Sequence, residues 1–180
     1  MPYLLLSATR PPKKNIFHPS SFFDLGHVEI LLWEPPARPE SFGFYVRPGT
    51  AWRIFLSVFF RQSARMVVGE HFVSRRTDWR AWPIGDHEYK IVRAYLRGVV
   101  AGCANGGIQY RALRVNCFHI AHQCLVLSGN DPGRLRRQWV FVLPTLGSRS
   151  FRAGPLKGAA FSSMEEDLAG REDIIDHSAS

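Results

Sequence analysis

The chain has 180 residues, of which 46% are apolar and 21% are charged, a composition typical of a single folded domain with its own core. Its formal net charge of +8 at pH 7 favours polyanionic surroundings such as nucleic acid, acidic lipid headgroups or cell-wall polymers. Its three cysteines are an odd number, which excludes a full set of disulfide bonds.

The N-terminal segment does not have the order of a secretory signal peptide. Its apolar run is short, and the basic residues Arg10, Lys13 and Lys14 follow that run instead of preceding it. No run approaches the roughly 20 apolar residues of a membrane-spanning helix. We therefore expect synthesis in the cytoplasm without a signal peptide, and export only by a route that needs no cleaved leader.

The first half of the chain has the patterns of β-structure. Residues 1–25, rich in proline and serine, are predicted to be an extended lead-in. His27–Trp33 and 41–46 are predicted strands joined by a short Pro-rich loop, which makes a hairpin. The apolar runs at 52–60 and 65–73 are predicted as two further strands.

The second half combines strands with helices. Residues 77–84 are a predicted strand, and a helix over 87–101 is predicted from its apolar period, with Asp86 as N-cap. A second helix is predicted from Cys117 to Leu127, and a last strand over 139–143. Together these elements predict an α+β fold: an antiparallel sheet of about five or six strands with the Cys117 helix packed on it. Residues 1–144 then form the domain, and 145–180 a flexible C-terminal tail.

The segment around Cys117 carries the residues with the clearest chemistry. At the start of a helix, unpaired backbone N–H groups and the helix dipole lower the pKa of a thiol and can also bind an oxyanion. A thiol nucleophile needs a nearby imidazole. His27, at the start of the first hairpin strand, is the best placed of the seven histidines. The pair is therefore predicted to be nucleophile and base.

Three stretches together resemble a known family. They are Gly-His-Val at 26–28, SFGFY at 41–45 and the pattern Tyr-x-x-Leu-x-x-Asn-Cys at 110–117. They are similar to circularly permuted NlpC-type papain-like proteins, which include lecithin:retinol acyltransferase-like proteins and bacterial cell-wall amidases. The pairing of Gly-His with SFGFY most resembles cysteine amidase effectors associated with bacterial type VI secretion. In the permuted group the histidine precedes the cysteine, as His27 precedes Cys117 here.

The resemblance implies a permuted papain-like fold and an activity. The activity would be cleavage of an amide bond in peptidoglycan stem peptides by a secreted antibacterial effector, with no cofactor. Such a toxin acts in the periplasm of a target cell. It implies a secretion-apparatus carrier and a cognate immunity protein in the producing cell.

A third catalytic residue would orient His27. In an antiparallel hairpin the start of one strand lies opposite the end of the other, so this residue is expected between Tyr45 and Arg47. That stretch contains no carboxylate, amide or imidazole. The orienting group is then Tyr45, a main-chain carbonyl, or a residue from elsewhere in the chain.

The string from Cys117 to Cys124 contains two sulfurs and two imidazoles but does not predict a metal site. Helical periodicity places Cys117 and Cys124 on one face and the two histidines, His119 and His122, on roughly the opposite face. Four ligands divided in this way cannot close one tetrahedral site. Cys124, like Cys103, is predicted to be a packing residue.

Two other interpretations remain open. The first keeps the thiol chemistry on another substrate, as a lipid acyltransferase, a lipase or a protease. The second is a non-catalytic basic module that binds nucleic acid or membrane. In that module Cys117 and His27 lie apart, and arginines such as Arg134, Arg136 and Arg137 converge on one face. No nucleic-acid motif accompanies these arginines, so nucleic acid is not the predicted partner.

Overall fold

The computed structural model describes residues 1–9, 27–47, 51–69, 77–112 and 114–130. These residues form a mixed α+β structure with a six-stranded antiparallel sheet. The strands are β1 (Tyr3–Thr9), β2 (His27–Trp33), β3 (Glu40–Val46), β4 (Gln62–Val68), β5 (Thr77–Pro83) and β6 (Gln109–Tyr110). The helices are α1 (Ala51–Phe59), α2 (Asp86–Ala104) and α3 (Cys117–Leu127). The α+β class and the antiparallel sheet of five or six strands are thereby confirmed.

Strand β1 lies in the interior of the sheet, whose order is β5-β1-β2-β3-β4-β6. The consecutive leucines Leu4, Leu5 and Leu6 are all fully buried. A strand covered on both faces has no alternation of apolar and polar residues, so its sequence reads as a featureless apolar run. The prediction of a lead-in over 1–25 therefore missed a strand of the sheet, and residues 10–26 lie outside the described part.

The two faces of the sheet carry unequal cores. On one face the apolar residues of β2 and β3 pack against α2 and α3, and this large cluster contains Val28, Phe44 and Cys117. On the other face Leu5 and Leu31 form a small cluster together with Trp33 and neighbouring partly buried residues. Because side chains alternate along a strand, β2 contributes to both cores.

The prediction of a strand over 52–60 is wrong, because this run is the helix α1. Its apolar residues occupy nearly every position, so the sequence fits a strand period and a helix period equally well. Tertiary contact decides between them. Ser57 is fully buried and its carbonyl accepts a hydrogen bond from the Ala112 N–H at 2.9 Å, while Trp52 is 64% exposed.

Helix α2 was predicted over 87–101 and extends over Asp86–Ala104. Its N-cap is Gly85 and not Asp86, which lies in the first turn, where its charge still favours the helix dipole. Glu40, at the start of β3, holds this helix to the sheet through ion pairs with Arg93 and Arg97.

Several other predictions can be placed on the structure. The strand predicted over 65–73 is β4, which begins and ends earlier, and the strand over 77–84 is β5. The helix predicted from Cys117 to Leu127 is α3, and its bounds agree with the prediction. The last strand over 139–143, the arginines that follow Gly133, and the tail over 145–180 lie outside the described residues.

Candidate active site

The start of α3 is fixed by Asn116. This residue caps the helix with an extended backbone, and its side-chain oxygen accepts a hydrogen bond from the His119 N–H at 3.1 Å. Its amide nitrogen donates to the Ala112 carbonyl at 2.6 Å. The side chain is buried, with 4% of its surface exposed. Asn116 therefore joins the loop after β6 to the helix and places Cys117 in the first helical position.

Replacing Asn116 by alanine is expected to lower the free energy of unfolding by about 1–2 kcal/mol, because a helix cap and a buried carbonyl both lose their partner. Urea denaturation measures this change. Asn105→Ala is the matched control: Asn105 is exposed, and its side chain accepts only a local hydrogen bond from the Gly107 N–H. Equal losses for the two variants would contradict the role assigned to Asn116.

Cys117 combines a buried thiol with a set of backbone donors. Only 3% of its surface is exposed, and burial raises the pKa of the thiol. Hydrogen bonds from the backbone N–H groups of Val28, Phe118 and Cys117 itself act in the opposite direction and lower that pKa. Burial is the larger effect. The expectation of a raised thiolate fraction at neutral pH is therefore wrong, and the resting group is the thiol.

His27 is a neutral base at physiological pH. Burial lowers the pKa of its imidazole to about 4. The ring stacks on that of Tyr45, with 4.3 Å between ring centroids and 18° between planes. Its Nε2 atom is buried and has no hydrogen-bond partner among the described residues. Burial opposes protonation of this ring, so it accepts a proton at neutral pH where a compensating negative charge forms beside it.

The structure brings Cys117 to the strand end that carries His27. The Val28 N–H, the first peptide group after His27, donates to the Cys117 sulfur. The ladder between β2 and β3 stops at the pair Glu29–Gly43, so this end of the hairpin is open to the thiol. Strand alternation assigns the His27 ring to the face opposite the large core that contains Cys117. The His27 imidazole and the Cys117 thiol therefore project from opposite faces of the sheet, and the His27 Nε2 atom makes no hydrogen bond to Cys117.

Tyr45 lies where the register of the hairpin predicts, opposite His27. Its ring crosses Gly43 so closely that a Cβ atom on that glycine would lie 2.5 Å from Tyr45 Cε2 and 2.8 Å from its hydroxyl oxygen. Glu29 is the register partner of Gly43 and is 3% exposed. This buried carboxylate, missed in the sequence, thus shares the face of His27 and Tyr45. Its signal was a charged residue inside an otherwise apolar strand.

Replacing Gly43 by alanine is expected to displace the Tyr45 ring, because the added methyl group has no room. We expect a loss of about 1–3 kcal/mol of unfolding free energy and a downfield shift of the His27 ring protons in NMR spectra as the stacking weakens.

The matched control for this substitution is Gly98→Ala in α2. No atom lies within 4 Å of the Cβ position there. Alanine is the better helix former, so the control is expected to gain up to about 1 kcal/mol without any change at His27. An unshifted His27 spectrum in Gly43→Ala would contradict the proposed contact.

Tyr110 packs against the core cluster that contains Cys117. Its pairing with Gln62 places it on the edge strand β6, and its ring stacks on Phe44 with 5.4 Å between centroids. Burial raises the pKa of the Tyr110 hydroxyl, and the negative charge of a Cys117 thiolate raises it further. Tyr110 therefore remains a neutral phenol within electrostatic range of the Cys117 sulfur.

His119 in α3 has a local role. His119 Nδ1 lies 2.8 Å from the Asn116 side-chain oxygen, and burial lowers the pKa of its imidazole.

No cluster of three or more potential metal ligands occurs within the described ranges. Nor is any of the helices described long and apolar enough to cross a membrane.

Around the start of β2, the Cys117 thiol with its backbone donors and Tyr110 lie on one face of the sheet, and the His27 imidazole with Tyr45 lies on the other. Glu29 and Tyr110 extend the set found from the sequence, which consisted of Cys117, His27 and Tyr45. No family model, curated protein or solved structure matches the chain.

Proposed function

We propose that the protein is a thiol hydrolase of permuted papain-like type that cleaves an amide bond in peptidoglycan stem peptides. The observation that carries this proposal is the environment of Cys117. Three backbone N–H groups surround its sulfur, and one of them belongs to the peptide directly after His27. The N–H groups of Cys117 and Phe118 belong to the helix start itself, whereas the Val28 N–H belongs to β2. The resemblance to cell-wall amidases supports the substrate.

The reaction begins from a neutral pair, since the thiol pKa is raised and the imidazole pKa is lowered. For the reaction, the start of β2 must rearrange so that the His27 imidazole leaves Tyr45 and reaches the face of the sheet that carries Cys117. There it takes the thiol proton as the sulfur attacks the carbonyl carbon of the amide. Backbone N–H groups at the start of α3 donate to the oxyanion that forms. The imidazolium then protonates the leaving amine, and water hydrolyses the thioester to release the acid.

The biological setting follows from the same proposal. A basic protein is attracted to the anionic cell wall. Delivery by a secretion-apparatus carrier would bring it to the periplasm of a target cell without a signal peptide. An immunity protein that covers the Cys117 site would protect the producing cell.

Digestion of purified peptidoglycan tests this function. Chromatography and mass spectrometry of the fragments should show products that differ from the substrate by one added water, with a new amine and a new carboxylate. The position of the new amine identifies the scissile bond. Cleavage of lipid or protein but not of peptidoglycan would support thiol hydrolysis and show that the proposed substrate is wrong. Unchanged fragments in all three assays would favour the basic binding module.

A further inference from the structure

A second feature of the described structure is a cavity of about 440 Å³ between the C-terminal turn of α2 and the edge of the sheet. Its volume is within the range of small-ligand sites in proteins. Arg47 and Arg53 line it together with the polar side chains of Ser63 and Gln109, and Cys103 forms part of its wall. Neither His27 nor Cys117 is among its lining residues.

The described lining of this cavity carries positive charge. Arg47 and Arg53 are its charged members, and none of the described lining residues is acidic. Arg53 is held in place by a hydrogen bond to the Gln62 side-chain oxygen at 3.3 Å. Arginine side chains match the geometry of carboxylate and phosphate groups and bind them with paired hydrogen bonds.

The C-terminal end of α2 would oppose an anion, because the last carbonyls of a helix carry partial negative charge. Three of these carbonyls already accept backbone hydrogen bonds. Asn105, Gly106 and Ile108 donate to the carbonyls of Ala101, Cys103 and Gly102, at 2.9–3.3 Å. Among the described lining residues, the full charges are therefore those of the two arginines.

We propose that this cavity binds a small anionic ligand through a carboxylate or phosphate group held by Arg47 and Arg53. The proposal goes beyond the thiol chemistry and does not depend on it. The competing role for the arginines is stabilisation of the α2 end alone, which would require no ligand.

Cys103 provides a reporter for the test, because it lines the cavity and Cys124 is fully buried. In a Cys117→Ala background, the alkylation rate of Cys103 is measured with iodoacetate, which is anionic, and with the neutral iodoacetamide. Relative to free cysteine, the protein should favour iodoacetate. Arg47→Gln and Arg53→Gln should each reduce that preference about 3-fold or more, as loss of one nearby unit charge predicts. The exposed Arg114, which is outside the lining, supplies the control Arg114→Gln, and its preference should not change.

Competition then distinguishes the two anion types. Glutarate and inorganic phosphate should protect Cys103 from iodoacetamide, and the stronger protector identifies the group that the site prefers. The protection should disappear in the Arg47→Gln and Arg53→Gln variants. An equal reagent preference in all variants, failure of both anions to protect, or a Cys103 that reacts with neither reagent would overturn the proposal.

Discussion

Replacing Cys117 by alanine is expected to lower the turnover of peptidoglycan fragments by at least about 10³-fold, because the covalent route is lost and only residual catalysis by the remaining site persists. His27→Ala should be nearly as damaging. The turnover of the double variant should be no slower than that of the less active single variant, since nucleophile and base act as a unit. Initial rates from chromatography of the released fragments measure all three variants.

Cys103→Ala is the matched control, because this cysteine lies in a helix and packs on the same core without facing the site. It should retain full turnover. Unfolding curves establish that each variant is folded. A Cys117→Ala protein that cleaves its substrate as fast as the unchanged protein would end the thiol-hydrolase proposal, whereas additive losses for His27 and Cys117 would show that the two residues act separately.

Lowering the pH from 7 to 4 is expected to cost the folded protein up to about 3 kcal/mol through His27 alone. Its pKa is lowered from 6.5 to about 4 in the folded chain, so the unfolded chain binds the proton more readily in this window. The folded state therefore keeps its full stability above pH 6.5 and loses it progressively as the pH falls towards 4. Urea denaturation at several pH values measures the effect.

His27→Gln should remove this part of the pH dependence. The difference in unfolding free energy between the variant and the unchanged protein should therefore change with pH. His87 is exposed, and His87→Gln serves as the control for the loss of a histidine on the surface. Parallel stability curves for His27→Gln and the unchanged protein from pH 7 to 4 would show that the imidazole is not held neutral by burial. The same imidazole would then be charged at mildly acidic pH.

The sequence alone determined the elements whose signals are local. Helix α3 has its predicted bounds because an N-cap side chain and a helical apolar period both lie within the segment. The hairpin of β2 and β3 follows from two apolar runs around prolines, and the antiparallel pairing of those runs predicts Tyr45 near His27. These signals come from residues that are close together in the chain, so they can be interpreted without the tertiary structure.

Only the tertiary structure decided the rest, because burial depends on residues far apart in sequence. It made the leucines at 4–6 an interior strand and turned the apolar run at 52–60 into α1. It also reversed the expected thiol pKa. The helix start does supply donors to Cys117, but desolvation in the packed core outweighs them. The arginine-lined cavity likewise depends on which strands and helices lie side by side, which no local pattern encodes.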